Sequence, residues 1–375
     1  MHYLDNSATT PLCEQAKEAV IAALDRFGNP SSLHLLGAQS LIALDEARLA
    51  VARSMSVEPS EIYFTSGGSE GNNMAILGTA NAHKREGRRV ITTAIEHHSV
   101  LKAMERLERD GFDVVYIKPN RQGVVTAEQV SEALTDDTVL VSIMHVNNEV
   151  GSVMPIADIS KLLNKRGSKA ILHSDCVQSY GKLPLSVKAL GADIVTVSGH
   201  KIHAPKGVGA VYIRKGCRVL PLINGGEQEK GMRAGTEATL LIDGFCAAVK
   251  AMNNSKSELA RITALRDKTV SALKEIDGVL INSPENSLPY IINFSVSGIR
   301  SEVMMHWLEA KSVYVSSGSA CAKGEPSHVL AAMDVARDTA DSALRASFSH
   351  YTTDDDCLAL VNAVREGAAK LIRRK

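Results

Sequence analysis

The 375 residues carry 42 Lys and Arg against 42 Asp and Glu, and this zero formal charge argues against a general nucleic-acid role. Hydrophobic residues make up 45% of a chain with no disordered or repetitive tract, which is the composition of a soluble globular enzyme. The length exceeds the size at which one core usually stops growing, so two domains are expected.

The opening "MHYLDNSATTPLCEQ" is polar with early acids, unlike a signal peptide. No apolar run approaches membrane-spanning length, so a cytoplasmic location is expected. Next, "FTSGGSEGNNMAILGTA" (64–80) reads as a strand running into Gly67, Gly68 and Ser69 and then a helix. Short buried strands follow at 88–94, 113–118, 138–146, 169–175, 193–198 and 207–213. Between them, "SVLKAMERLERDG" and "IADISKLLNKRG" have helical periodicity and end at glycine. Such alternation predicts an α/β fold with a mainly parallel sheet covered on both faces by helices. The stretch 240–278 reads as a long helix interrupted near Asn253 and Asn254, suited to an inter-domain connection. Beyond it, "YIINFSV", "VYVSS" and the closing helix "DDDCLALVNAVREGAAKLIRR" form a smaller α+β unit. The expected division is a large domain over 16–250 and a small one over 251–375, with the arm 1–15 packing on either. The basic end "LIRRK" suits the last turn of a helix. Six cysteines (Cys13, Cys176, Cys217, Cys246, Cys321, Cys357) form no C-x-x-C pair, so neither a zinc ribbon nor a disulfide framework is expected.

In "VSGHKIHAPKGVG", Lys201 follows a strand beside Ser198, Gly199 and His200. Alone it reads as a solvated charge. Held among apolar strands, however, a lysine becomes a nucleophilic amine, and Ser and His beside it can bind an anion. In "HSDCVQSYGK", Asp175 ends the preceding strand; alone it reads as a helix cap. Ligands in open α/β sheets sit at the carboxyl ends of strands, so two adjacent ends offer one crevice a carboxylate and an amine. Pyridoxal 5′-phosphate needs that pair: the amine to attach it and the carboxylate to keep its ring nitrogen protonated. The turn at Gly67, Gly68 and Ser69 can cradle a phosphate on backbone N–H groups, and no Gly-Lys-Ser/Thr follows to make it a P-loop. In "IEHHSV", His97 is read at another strand end, where an imidazole can stack on an aromatic cofactor.

With "YLDNSATTP", "GNPSSLH", "HVNNEVG", "GGEQEKGMRAGTE", "SSGSAC" and "EPSHVL" added in order, the chain resembles the cysteine desulfurases of the class V aminotransferase group, within the fold-type I pyridoxal-phosphate enzymes. The likeness spans nearly the whole chain. It implies that Lys201 attaches the cofactor, Asp175 pairs with its ring nitrogen, Gln178 and Asn147 lie near its ring oxygen, and His97 stacks on the ring and moves protons. It also implies that Gly68, Ser69, Ser198 and His200 hold the phosphate. Thr236 matches a residue reaching the phosphate of a partner subunit, hence a homodimer. Arg345 matches the arginine that grips the substrate carboxylate; read alone, it is a surface ion pair.

The same resemblance explains Cys321, a thiol among small and hydroxylated residues in "SSGSACAKGEPSH". It implies that Cys321 takes sulfur from L-cysteine as a persulfide, leaves L-alanine, and passes the sulfur to a scaffold or acceptor for iron–sulfur cluster or thio-cofactor assembly. No resident metal is expected, and transient ligation of an iron–sulfur cluster falls to Cys321. Ala204 stands where glycine is common, Glu227 interrupts a glycine triplet and Ser69 replaces a threonine, with no functional group lost. Only Ala322, Lys323 and Gly324 separate Cys321 from "EPSH", about two residues fewer than in long-loop relatives, each worth roughly 3.3–3.6 Å of reach. Selenocysteine lyase, another class V lyase or transaminase, and a non-catalytic sulfur-transfer scaffold are the competing readings.

Overall fold

The computed structural model describes residues 1–317 and 327–371. In chain order the strands are β1 (His2–Tyr3), β2 (Ile62–Thr65), β3 (Arg89–Thr93), β4 (Asp113–Ile117), β5 (Thr138–Ser142), β6 (Ile171–Asp175), β7 (Ile194–Ser198), β8 (Gly209–Ile213), β9 (Val279–Ile281), β10 (Ile291–Val296), β11 (Val313–Tyr314), β12 (Ser316–Ser317) and β13 (Ala343–Ser347). The main sheet has the order β2-β8-β7-β6-β5-β3-β4. Every residue of β5 to β8 is buried, as in strands covered on both faces. One apolar cluster, including Val141, Leu172 and Val197, lies against the sheet with the helix Leu35–Met55. Another, including Val90, Met104 and Leu140, contains residues of the helix His98–Arg109.

The sheet is parallel from β7 through β6, β5, β3 and β4, but β8 runs antiparallel to both β7 and β2. The connection explains this: β7 reaches β8 through a short turn at 199–208 with no room for a crossover helix.

The long helix expected over 240–278 is two helices, Thr239–Ala251 and Lys256–Lys274. The second starts where Ser255 Oγ accepts from the Glu258 amide at 3.2 Å, an N-cap. Beyond it, β12-β13-β10-β9 form an antiparallel sheet over a separate apolar cluster.

The first residues bridge both sheets. β1 pairs with β11, Asn6 Nδ2 donates to the Ser347 carbonyl (2.8 Å), and the amides of Thr10 and Cys13 donate to the carbonyls of His200 and His203 (3.0 Å each). This clamp lays residues 5–10 across the turn that carries Lys201.

Candidate active site

Strands β6 and β7 are hydrogen-bonded neighbours, with Asp175 opposite Thr196. Asp175 therefore ends one strand beside the next, which runs on into Ser198, Gly199, His200 and Lys201. The Asp175 carboxylate does not cap a helix. Its Oδ1 accepts from the Val177 amide (2.9 Å) in a turn, and its Oδ2 accepts from Asn72 Nδ2 (2.6 Å).

Asn72 also donates to Ser99 Oγ (2.9 Å), and Ser99 Oγ lies 2.8 Å from His97 Nδ1. His97 lies past the end of β3 rather than at it, and caps the helix His98–Arg109, with Nδ1 accepting from the Ser99 amide at 3.2 Å. Since that amide can only donate, the neutral ring carries its proton on Nε2. Burial lowers the His97 pKa; the nearby Asp175 opposes the shift and Lys201 adds to it.

Lys201 Nζ donates to the carbonyls of Ser7 and Ala8, the latter at 2.8 Å. His200 Nδ1 lies 3.2 Å from Thr9 Oγ1, and burial pushes its imidazole down to about 4. Gln178 faces the same carbonyl as Lys201: its Nε2 donates to Ser7 O (3.0 Å), while its Oε1 accepts from Lys182 (3.0 Å).

The glycine turn after β2 leads into the helix Gly68–Asn73. Gly67 sits at φ +146°, a conformation open essentially to glycine alone. A Cβ there would come within 3.7 Å of Ser198 Oγ, and one at Gly68 would meet Val177 at 2.9 Å. Ser198 Oγ is buried with no hydrogen-bond partner among the described residues. Ser69 is exposed at the start of this helix. Glu70 ties the turn down, taking the Ser66 amide (2.9 Å) and the Arg233 guanidinium (2.9 Å). Thr236, three residues past Arg233, is exposed.

Arg345 is 3% exposed on β13, not a surface ion pair. Its Nη2 donates to Asp5 Oδ1 (3.0 Å) and its Nη1 to the Asn148 carbonyl (2.9 Å), while its Nε has no partner among the described residues. Asn147, expected near a ring oxygen, has both ends of its amide engaged by the protein: Nδ2 donates to the Ile95 carbonyl (2.9 Å), and Oδ1 accepts from the amides of Glu149 and Val150 in its own turn. Cys321 lies outside the described residues. Among the described residues that follow it, the Ser327 hydroxyl donates to the buried Glu149, and His328 Nε2 lies 3.0 Å from the Glu96 carbonyl. Burial pushes the Glu149 carboxyl up to about 7 and that of Glu96 up to about 8.

The structure thus gathers Asp175, Lys201, Ser198, His200, Gln178 and His97 around adjacent strand ends and the glycine turn. Sequence reading passed over Asn72, Asp5, Glu149 and Lys182. Asn72 had a visible signal: it lies four residues after Gly68, one helical turn along from the glycines.

The family model for class-V aminotransferases matches residues 2–360. The chain is 43% identical over 360 residues to a protein of Dictyoglomus turgidum named cysteine desulfurase IscS, covering 94% of this chain and 91% of that one. It is 44% identical over 385 residues to the putative cysteine desulfurase IscS 1 of Bacillus subtilis, covering 99% and 98%. A solved NifS-like protein superposes with a TM-score of 0.93 at 37% identity, over 98% of this chain and 99% of that one. With that breadth of match and the mixed, helix-covered sheet, this chain belongs to the class-V aminotransferase family.

Proposed function

We propose that the protein is a cysteine desulfurase that uses pyridoxal 5′-phosphate. The observation that carries this reading is the placement of Asp175 and Lys201 at the ends of adjacent parallel strands, beside a glycine notch and a Ser198 hydroxyl with no partner among the described residues. The donor set fits the cofactor. Asp175 supplies a carboxylate for its ring nitrogen, Lys201 the amine that attaches it, and Gly68, Ser69, Ser198 and His200 a phosphate cradle, with Gln178 toward the ring oxygen. When bound, the cofactor supplies an electron sink that allows the carbon–sulfur bond of cysteine to break.

The chain's own groups do the rest. Arg345, held in place by Asp5 and Asn148, presents to the substrate carboxylate an Nε–H that has no partner among the described residues. His97, anchored through Ser99 and Asn72 to Asp175, holds its proton on Nε2 over the site. Cys321 takes the sulfur: L-cysteine and the Cys321 thiol become L-alanine and a Cys321 persulfide. Among the described cysteines, burial pushes the thiols of Cys176 and Cys217 up to about 12 and raises those of Cys246 and Cys357, so these stay protonated and unreactive.

A homodimer is part of this reading. Phe27, Leu33 and Leu35 lie 80%, 104% and 72% exposed near the start of the helix Leu35–Met55, an apolar face suited to a second copy, and Thr236 is free to reach across. The division at about residue 250 is kept, supported by the helix break after Ala251. No described helix is long and apolar enough to cross a membrane. Cytoplasmic action is proposed on the free state of the described cysteines. The test is incubation of the cofactor-loaded protein with L-cysteine and a thiol reductant: alanine and sulfide should appear in equal amounts. Pyruvate and ammonia in place of alanine would refute the assignment.

A further inference from the structure

Asp5 is fixed against β13 by its own backbone and by the residues that follow it. It pairs with Ser347 in a single parallel bridge, Asn6 Nδ2 donates to the Ser347 carbonyl (2.8 Å), and the Ser7 amide donates to Ser347 Oγ (2.8 Å). Arg345 and Ser347 lie two apart on that strand and so share a face, where the Asp5 carboxylate meets the Arg345 guanidinium at 3.0 Å. That bond uses Oδ1 of Asp5. An ionised carboxylate offers about four acceptor sites on its two oxygens, so one such bond leaves capacity for a second cation. The Asp5 side chain is 22% exposed, so a solute can reach it.

The same corner already receives an amine. Lys201 Nζ donates to the carbonyls of Ser7 and Ala8, the latter at 2.8 Å, on the stretch of arm that follows Asp5. Burial raises the Asp5 pKa, and the charges of Arg345 and Lys201 oppose that rise, so the carboxylate lies within the field of both. The arm thus sets one carboxylate and two carbonyls, acceptors throughout, beside the group read as gripping the substrate carboxylate and the group read as attaching the cofactor.

We propose that Asp5, with the Ser7 and Ala8 carbonyls beside it, receives the α-ammonium of the incoming substrate and so selects amino acids over simple carboxylates. This deepens the cysteine desulfurase reading and rests on Arg345 as the partner of the substrate carboxylate. An α-amino acid carries both charges on one carbon, so a substrate whose carboxylate lies against Arg345 brings its ammonium to the neighbouring counter-charge. A ligand without the ammonium gains nothing from Asp5 and meets a like charge instead.

L-Cysteine and 3-mercaptopropionate differ only in the ammonium group. Borohydride reduction of the cofactor-loaded protein fixes the cofactor to Lys201 and stops turnover, and calorimetric titration then gives the Kd of each ligand. Wild type should prefer L-cysteine. In Asp5→Asn, which nearly keeps the shape, L-cysteine should weaken by roughly tenfold or more, the scale of one charge-assisted hydrogen bond, while 3-mercaptopropionate binds as well as before or tighter. Asp5→Ser, a smaller side chain if asparagine is poorly tolerated, should shift the preference the same way. Equal losses for the two ligands would overturn the proposal, because they would leave Asp5 only as a support for Arg345. A preference unchanged in both variants would overturn it as well. Wild-type protein that binds neither ligand would instead overturn the reading of the site on which the proposal stands.

Discussion

Asn72 donates to Asp175 across 2.6 Å, although the two residues lie 103 apart in the chain. The same amide nitrogen donates to Ser99 Oγ, so a single side chain ties the Asp175 carboxylate directly, and the His97 imidazole through Ser99, into one network. Asn72→Ala should cost about 1–3 kcal/mol in cofactor binding, the penalty for leaving buried acceptors unpaired. Equilibrium titration with pyridoxal 5′-phosphate measures it, and an unchanged dissociation constant would remove Asn72 from the site.

Arg345→Lys keeps the charge but loses the planar fork and its anchors on Asp5 and Asn148. KM for L-cysteine should rise, with about 1–3 kcal/mol lost in kcat/KM. Steady-state kinetics decide this. If kcat/KM is unaltered, the carboxylate binds elsewhere.

These two relationships mark what could and could not be read from the sequence. That Asp175 and Lys201 follow neighbouring strand ends was legible because strand–helix alternation puts strand ends side by side. The orientation of β8 was not, since a strand buried on both faces shows the same apolar run whether parallel or antiparallel. Nor was Asp5 as the partner of Arg345, because 340 residues separate them and only the folded arm brings them together. The helix break was visible as Asn253 and Asn254 interrupting an apolar period, and Ser255 supplies the cap that begins the next helix.

Glu96 is fully buried, its carboxylate oxygens accepting from the Met144 amide and, at 2.7 Å, from Thr93 Oγ1. Burial raises its folded pKa from 4.5 to about 8. The folded state thus keeps a proton that the unfolded chain releases. Stability from this source is full below about pH 4.5 and is lost progressively as pH rises through 8. Glu96→Gln should flatten the decline in Tm between pH 5 and 8.5. Parallel Tm–pH curves for the two proteins would contradict this.

The double variant Phe27→Asp, Leu35→Asp places charges on the exposed apolar face. Light scattering should fall from twice the 40.2 kDa chain mass to that mass, with cofactor affinity weakened by the loss of the partner's Thr236. A dimer that persists would place the interface on another surface.

Cys321→Ser should retain the visible cofactor band and bind L-cysteine through Lys201 and Arg345, yet accumulate no persulfide. The most direct measurement is peptide mapping of the wild-type protein after incubation with L-cysteine and alkylation. The account predicts one added sulfur on Cys321, matched mole for mole by alanine. Persulfide found chiefly on Cys13, Cys176, Cys217, Cys246 or Cys357, or alanine formed equally well by Cys321→Ser, would contradict it.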